Sequence, residues 1–511
     1  MSTPQVQPLK IAILAMGGEG GGVLADWIVQ LGESQGYLAQ TTSVPGVAQR
    51  TGATIYYVEL FPEAQAGGRQ PVLALMPLPG DVDVVLASEL MEAGRAVQRG
   101  LVSAERTTLI TSTHRVYSMT EKMAPADGRV DSSELQAHVQ QAAQRCIAFD
   151  MAQLAQDNSS VISAVLFGAL AGAGVLPFSR SAFERTIEGS GIGVHTSLQA
   201  FDQAYARAQN RLAGNDAQSA ENARTEDLPS RSENPKVQKL LDQVHQQFPL
   251  PARRLLIEGL RRLIDYQDVR EAQAYLQALQ PFVALDSAPD APLLQALARH
   301  LALWRSYEDT FRVAQLKTRA ERFERVRNEA AVQSQQLMQI DEFLHPRPQE
   351  IADMLPARWG QYLMGSPRLQ ALLSRWTGKG RVLRTTSLRS FVLLWTIGRL
   401  RVWRRASLRH QIESGRIQDW LSRVQEAAHK DQALALEIVL CQQLLKGYSD
   451  TFERGLHKYL SLLQGLDQAR LQGQPLRSDE LRRLRLAALA DESDQPLQQT
   501  LHALRPSMVQ H

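Results

Sequence analysis

The sequence has only two cysteines, Cys146 and Cys441, which lie far apart in its 511 residues. Two thiols exclude a disulfide framework, a cysteine-based zinc site and an iron–sulfur cluster held by this chain alone, because such a cluster takes about four thiolates. So few cysteines are typical of a reducing cytoplasm. Aromatic residues are also scarce, at 6%, so Leu, Ala and Val must supply most of the core packing.

The sequence also lacks a segment that would direct it to a membrane. Residues 1–10 have no basic region ahead of an apolar run, so no signal peptide is predicted. The longest uncharged stretch, residues 158–179, is broken by serine and by glycines that include Gly168 and Gly172. We interpret it as a helix buried in a soluble core. We therefore expect a cytoplasmic protein without a membrane partner.

Charge is nearly balanced overall, at +3, but it is unevenly distributed. Residues 1–210 contain 13 Lys and Arg against 19 Asp and Glu, a net charge of −6, and the remainder carries +9. An acidic front and a basic rear indicate two modules with different surfaces. Apolar residues at 44% and charged residues at 21% are ordinary globular composition and exclude disorder for most of the chain.

Strands and helices alternate over residues 1–212. Residues 10–16 form a continuous apolar run, typical of a central parallel strand, and a glycine-rich loop and an amphipathic segment follow it. We therefore expect an α/β fold with a doubly wound, mostly parallel sheet. Further strands are predicted over 37–44, 54–60, 82–87, 107–112 and 146–150, and helices over 23–33, 89–99, 135–144, 161–173, 181–188 and 201–212.

The rear of the chain has a different pattern. Residues 213–235 are polar without apolar periodicity and are interpreted as a linker. From residue 236 to 511 the apolar spacing is helical almost throughout, which predicts a large all-α domain of ten to twelve helices. No fixed repeat length is present, so a solenoid is not predicted.

The glycine-rich loop, residues 17–22 (GGEGGG), lies between a predicted strand and a predicted helix. Free amides and the helix dipole make such a turn a site for anions. The glycine spacing does not match the dinucleotide fingerprint, and residues 40–43 supply no acidic group for a ribose. A Gly-Lys-Ser/Thr phosphate loop is also missing. The alternative is that the glycines only permit close packing of helix on strand.

A second loop, residues 44–54, contains a Pro45-Gly46 turn and then Gln49 and Arg50 ahead of Gly52. An arginine on a loop at the carboxyl end of a parallel sheet is well placed to bind a carboxylate or a phosphate. Considered alone, Arg50 is interpreted as a solvated loop cation.

Four motifs in order resemble the gamma-type catalytic domain of 2-oxoacid:ferredoxin oxidoreductases. Residues 17–28 are similar to the family's glycine turn, and residues 45–54 to its Gly-x-Ala-Gln-Arg-Gly loop, although Thr51 stands where the family usually has glycine. Residues 83–89, with Glu92, Ala93 and Arg95, resemble the family's strand that ends in an acidic residue. Asn158 with residues 166–169 and 176–177 resembles its late segment.

The helical half adds a second resemblance. Residues 304–310 (WRSYEDT), 312–317, 446–451 and 454–455 resemble the helical extension of the indolepyruvate branch of the same family. The two resemblances together cover nearly the whole chain. They imply a long-form beta subunit of an indolepyruvate ferredoxin oxidoreductase.

The resemblance implies oxidative decarboxylation of an aromatic 2-oxoacid, an arylpyruvate, with electrons passed to ferredoxin. The chain has no Gly-Asp-Gly…Asn motif for thiamine diphosphate and Mg²⁺, and too few cysteines for clusters. A large alpha subunit is therefore expected to carry thiamine diphosphate, Mg²⁺ and the iron–sulfur clusters, in an α2β2 assembly. This chain would hold no cofactor alone and would wall one side of the active site, with coenzyme A as a further candidate ligand.

The resemblance also indicates which residues bind substrate or coenzyme, while catalytic residues stay unknown and no metal ligand is expected. His114, His195 and His345 have no acidic residue or cysteine at metal-ligand spacing. The candidate binding residues are Gly18, Gly20, Gly21, Gly22, Pro45, Gly46, Gln49, Arg50, Gly52, Glu89 and Asn158.

Two other functions stay open. The chain is alternatively a non-catalytic scaffold or regulatory binding subunit that has kept the fold. A nucleic-acid binder is the third hypothesis, because Arg399, Arg401, Arg404, Arg405 and Arg409 lie beside Trp395 and Trp403. The apolar residues 391–395 in the same region instead favour packed helices with an arginine face that pairs with acids.

Overall fold

The computed structural model describes residues 7–45, 54–124, 128–191, 193–212, 229, 231–286, 288–329, 332, 335–344, 347–377, 381–446, 449–490 and 495–504. The chain divides into two compact units, Met1–Glu226 and Asp227–His511. The division falls within the predicted linker, most of which lies outside the described residues.

A six-stranded sheet forms the centre of the N-terminal unit, in the order β2-β3-β1-β4-β5-β6. The strands β1, β4, β5 and β6 are parallel, and β2 and β3 form an antiparallel hairpin whose second strand pairs with β1. The predicted α/β fold with a mostly parallel sheet is confirmed. The strands are β1 (Leu9–Ala15), β2 (Tyr37–Pro45), β3 (Thr54–Pro62), β4 (Val84–Ala87), β5 (Thr108–Ser112) and β6 (Arg145–Phe149).

Seven of the eight helices described in this unit cover the two faces of the sheet, and the short helix α3 contributes to neither core. One face packs against α1 and α5 to α8, and the other against α2 and α4. The helices are α1 (Gly21–Ser34), α2 (Leu90–Gln98), α3 (Met119–Met123), α4 (Ser132–Ala142), α5 (Met151–Asp157), α6 (Ile162–Ala173), α7 (Arg180–Ser190) and α8 (Val194–Leu212).

Helix α6 is the apolar segment that the sequence analysis places in a soluble core, and eleven of its twelve residues are buried. Its glycines allow α8 to approach at backbone distance. A Cβ added to Gly168 would lie 2.4 Å from the Phe201 carbonyl oxygen, and one added to Gly172 would lie 2.6 Å from that of Tyr205. The small residues therefore serve helix packing. Within the described part of the chain, no helix is long and apolar enough to cross a bilayer.

The C-terminal unit is helical with a core of its own, which includes Trp304, Trp420 and Tyr459. The described residues form fifteen α-helices, more than the ten to twelve predicted. They are α9 (Pro235–Gln247), α10 (Leu250–Tyr266), α11 (Val269–Val283), α12 (Pro292–Arg305), α13 (Thr310–Lys317), α14 (Ala320–Glu329), α15 (Pro348–Met354), α16 (Ala357–Met364), α17 (Pro367–Thr377), α18 (Leu388–Arg399), α19 (Leu408–Ala428), α20 (Gln432–Leu440), α21 (Ser449–Leu471), α22 (Ser478–Ala490) and α23 (Gln495–Leu504).

Short elements interrupt this helical pattern. Two strands, β7 (Asp341–Leu344) and β8 (Arg381–Arg384), form an antiparallel ribbon that the sequence analysis did not predict. Two 3₁₀ turns, Leu400–Ala406 and Cys441–Leu444, follow α18 and α20. Strands of four residues are too short to show a reliable period, which is why the ribbon has no signal in the sequence.

Candidate functional site

The carboxyl ends of three adjacent parallel strands bring polar residues together. The glycine loop follows β1, Ser88 follows β4, and His114 comes two residues after β5. Ligands of open α/β sheets bind at this edge, outside the carboxyl ends of the strands. The fold therefore places the glycine loop where a ligand is expected.

The amino end of α1 has no side-chain cap among the described residues. Gly20 precedes the helix with φ of 72° and ψ of 25°. Gly21 packs so closely that an added Cβ would lie 2.5 Å from that of Ala15 and 2.7 Å from the Tyr56 ring. Among the described residues, nothing lies within 4 Å of a Cβ added to Gly18, which has φ of 91° and is exposed. Close packing of helix on strand therefore explains Gly21, and anion binding by the loop stays a prediction.

Ser163 supplies a second polar group at this point. It lies in the first turn of α6, whose amino end also has no side-chain cap. Its hydroxyl oxygen is 2.9 Å from the position of a Cβ on Gly20. The side chain is only 1% exposed, and its hydroxyl has no hydrogen-bond partner within the part of the chain that the structure describes. Two uncapped helix ends and an unpartnered hydroxyl are a donor set that suits a phosphate or carboxylate oxygen.

Glu19 is anchored inside the loop. Its carboxylate accepts hydrogen bonds from the Ser88 hydroxyl and from the Met16 amide, the latter at 3.3 Å. Burial alone would raise the pKa of Glu19, but the hydrogen bonds from His114 and Ser88 outweigh it and hold the pKa below its ordinary value. The carboxylate is therefore ionised and fixed by the fold.

His114 faces this carboxylate from the end of β5. Its Nε2 lies 3.7 Å from Glu19 Oε1, and its Nδ1 lies 2.7 Å from the Ser112 hydroxyl. The Ser112 oxygen already accepts the Met151 amide at 3.0 Å, so its proton is free to point at Nδ1. That arrangement favours the tautomer with the proton on Nε2, directed at Glu19.

Two of the predicted site residues have their side chains engaged within the fold. The Glu89 carboxyl is buried and caps α2 by accepting the Glu92 amide at 2.8 Å, and burial raises the pKa of Glu89. The Asn158 amide donates to the Leu154 carbonyl at 2.8 Å and bonds with Gln203 of α8. These contacts explain both residues structurally, and their binding role stays a prediction.

The second predicted loop is described only at its ends. Pro45 pairs with Thr54, and Thr54 pairs with Ala15, the last residue of β1. Both ends of the loop therefore lie beside the start of the glycine loop. Gly46, Gln49, Arg50 and Gly52 lie outside the described residues.

Sequence reasoning missed Ser163, Ser88 and the pairing of His114 with Glu19. A signal existed for two of them, because Ser88 and His114 come just after predicted strands of a parallel sheet. Ser163 looks like an ordinary small residue of an apolar helix. Nothing in the local sequence connects it to a loop over 140 residues earlier.

Other parts of the described chain have fewer features of a binding site. An open depression of about 440 Å³, lined by Leu9, Tyr37, Pro62 and Gly174 among others, lies at the amino end of β1. It has no charged side chain and contains no predicted site residue. Among the described residues, no three His, Cys, Asp or Glu side chains are grouped so as to hold a metal ion.

Comparison with known proteins finds two family models that match parts of the chain. Residues 10–207 match the family model described as pyruvate ferredoxin/flavodoxin oxidoreductase. This match supports the 2-oxoacid:ferredoxin oxidoreductase domain that the sequence analysis predicts for the N-terminal unit, but it covers less than half of the chain and does not reach the indolepyruvate branch. Residues 252–465 match a second model, described only as a family of unknown function. No curated protein matches the chain.

Three solved structures are similar to part of the chain. Pyruvate oxidoreductase subunit PORC from Thermotoga maritima is 16% identical with a TM-score of 0.28, over 39% of this chain and 97% of that one. The gamma subunit of a keto/oxoacid ferredoxin oxidoreductase from Geobacter sulfurreducens is 16% identical with a TM-score of 0.27, over 39% and 98%. The 2-oxoglutarate:ferredoxin oxidoreductase from Magnetococcus marinus is 17% identical with a TM-score of 0.29, over 40% and 32%.

Proposed function

We propose that the chain is the beta subunit of an indolepyruvate or arylpyruvate:ferredoxin oxidoreductase, which carries no cofactor of its own and completes the active site of a large alpha subunit. The observation that carries the proposal is the match of residues 10–207 to the oxidoreductase family model. The indolepyruvate branch rests on the resemblance of the helical motifs, beginning with residues 304–310.

The glycine loop fits an anionic group of a substrate or coenzyme. Among the described residues, the first turn of α1 has no side-chain cap, the Ser163 hydroxyl has no acceptor, and nothing lies within 4 Å of a Cβ added to Gly18. The carboxylate of Glu19 is the one negative group of the loop, and Ser88 and His114 bind it. A 2-oxoacid carboxylate or a coenzyme A phosphate would therefore meet donors at this position.

The cofactor chemistry belongs to the partner in this proposal. Thiamine diphosphate on the alpha subunit supplies the carbanion chemistry, and clusters on the same subunit take up the electrons. The residues of this chain bind and orient the anionic end of the ligand and exclude water from one side of the site. Arg50, by resemblance, supplies a charged hydrogen bond from the neighbouring loop.

The test is reconstitution of the complex. The chain is co-purified with its large subunit, and arylpyruvate-dependent reduction of a viologen dye is measured at several substrate concentrations. Loss of one charged hydrogen bond should make Arg50→Ala lower kcat/KM about ten- to a hundredfold. Arg69→Ala, at an exposed arginine of the same unit, is the matched control and should leave kcat/KM unchanged.

The outcomes separate the hypotheses. A large subunit that turns over arylpyruvates at full rate without this chain would favour the scaffold function. Equal kinetics of Arg50→Ala and wild type would remove Arg50 from the site. Activity with other 2-oxoacids but not with arylpyruvates would support the oxidoreductase hypothesis and contradict the aromatic substrate.

A further inference from the structure

One segment of the helical unit contains positive charge without negative charge. Residues 354–412 include twelve Lys and Arg and no Asp or Glu, although the whole chain has 56 basic and 53 acidic residues. These 59 residues therefore depart strongly from the nearly equal numbers of basic and acidic residues in the whole chain. Any carboxylate that pairs with these cations therefore belongs to another segment of the chain or to another molecule.

Other segments of the chain neutralise only some of these cations. Arg384, Arg404, Arg405 and Arg409 form ion pairs with Asp341, Asp309, Asp268 and Glu413. Five exposed arginines find no acidic partner within the described residues. They are Arg358, Arg368, Arg375, Arg389 and Arg399.

Helix α18 in this segment is apolar on both sides. Its inner side packs against α13 so closely that a Cβ on Gly398 would lie 3.1 Å from the Gln315 backbone. Its outer side carries Leu388, Val392 and Trp395, all exposed, with Leu388 at 78%. Exposed apolar side chains grouped on one side of a helix are typical of a surface that another molecule covers.

The 3₁₀ turn after α18 extends this surface with Val402 and Trp403, and Trp403 is 65% exposed. We name the set Leu388, Val392, Trp395, Arg399, Val402 and Trp403 the tryptophan–arginine face. The bridge between Pro356 and Ser407 connects the turn to α16, where Trp359 is also exposed. The expectation that residues 391–395 are packed is therefore wrong for Val392, Leu393 and Trp395, because packing on α13 uses only one side of the helix.

The face is also ordered in a way that suits binding. The Arg399 guanidinium lies 4.9 Å from the centre of the Trp395 ring, so each side chain fixes the other before a partner arrives. Tryptophan and arginine dominate the residues that contribute most to protein–protein affinity. An apolar centre with arginines at its edge fits a protein surface with an apolar centre and an acidic edge.

Other occupants fit less well. A second copy of the chain that docked with the same face would bring the arginines of the two faces close together, where they repel. Nucleic acid would match the arginines and tryptophans, but it has nothing for the exposed aliphatic side chains of Leu388, Val392 and Val402. Helices that lie on membranes keep a solvated polar side, whereas the inner side of α18 is packed in protein.

We propose that the tryptophan–arginine face docks the large partner subunit, through a surface of that subunit that is apolar at its centre and rich in Asp and Glu at its edge. The identity of the partner rests on the proposed function. The docking surface itself lies in the helical unit, which the oxidoreductase family model does not cover.

The experiment measures the affinity of the purified full-length chain for the purified large subunit by titration calorimetry. Trp395→Glu and Arg399→Glu should each raise Kd about ten- to a hundredfold, since they place a carboxylate at the apolar centre or against an acidic edge. The matched control is Leu471→Glu on α21, an exposed leucine of the same unit outside the face. It should change Kd less than about twofold. Circular dichroism and thermal unfolding confirm that each variant is folded.

The outcomes distinguish this inference from the proposed function. A complex that forms with the same Kd for all variants refutes the docking face and leaves the proposed function intact. Failure of the wild-type chain to bind the large subunit overturns both. Self-association of the chain, or binding to anionic vesicles or single-stranded RNA, that Trp395→Glu abolishes would assign the face to another occupant and overturn the proposal.

Discussion

Arg404 offers the sharpest test of the packing of the helical unit. It is 2% exposed and donates to the Asp309 carboxylate at 2.6 and 3.0 Å. It also donates to the Tyr266 carbonyl at 2.9 Å and to the Gln267 side chain at 2.5 Å. Its guanidinium stacks on the Tyr266 ring at 3.9 Å. One side chain therefore satisfies acceptors on three other residues.

The change Arg404→Leu leaves the buried Asp309 carboxylate without its counter-charge. Loss of one partner of a buried ion pair costs about 3–5 kcal/mol of unfolding free energy. The double variant Arg404→Leu with Asp309→Asn removes both charges, and asparagine still caps α13 through the Arg312 amide. The double variant should therefore be at least about 2 kcal/mol more stable than the sum of the two single changes predicts.

The neighbouring arginine is the matched control. Arg405 pairs with Asp268 in a half-exposed ion pair, so Arg405→Leu should cost no more than about 1 kcal/mol. Urea unfolding followed by tryptophan fluorescence is a suitable assay, because six of the seven tryptophans belong to the helical unit and only Trp27 lies in the front unit. Equal losses for Arg404→Leu and Arg405→Leu would refute the reasoning.

Three further predictions concern other parts of the chain. Gly168→Val should destabilise the front unit by about 2 kcal/mol or more, because its side chain would meet the Phe201 carbonyl. Gly189→Ala, where the added methyl enters open space, should be neutral or stabilising. Thermal unfolding followed by circular dichroism compares the two variants. The pKa of Glu19 is lower in the folded chain than in the unfolded chain, so its ionised form stabilises the fold above the ordinary carboxyl pKa of about 4.3. This contribution disappears as the pH falls below that value. The difference in unfolding free energy between wild type and Glu19→Gln should therefore shrink from pH 7 to pH 3. Burial raises the pKa of the Cys441 thiol to about 12, so Cys441 should not react with a thiol reagent in the native chain and should react in urea.

Sequence patterns predicted elements whose physical cause is local. The apolar run of β1, the glycine loop and the amphipathic α1 are adjacent in the chain, and the structure has them in that order. The antiparallel direction of β2 and β3 is harder to predict, because parallel and antiparallel strands can have the same amino-acid composition. The regular alternation over residues 54–60 was the available sign, because antiparallel strands commonly have one covered and one solvated face.

Contacts between distant residues were beyond the sequence patterns. His114 seemed isolated because its partner, Glu19, lies 95 residues earlier, and only the adjacency of β1, β4 and β5 brings the two together. The exposed side of α18 was missed for a related reason. Apolar composition predicts that the side chains of a helix are buried, but it does not show whether the same chain or a partner protein buries them.

The hairpin has a consequence for how this site can diversify. Nine residue pairs, from Tyr37 with Pro62 to Pro45 with Thr54, fix its register independently of the connection that joins the strands. Residues inserted or deleted between positions 45 and 54 change the reach of the connection without shifting the sheet. Under the proposed function, a change in the length of this connection is therefore a route to a different substrate range that leaves the glycine loop and its helix unchanged.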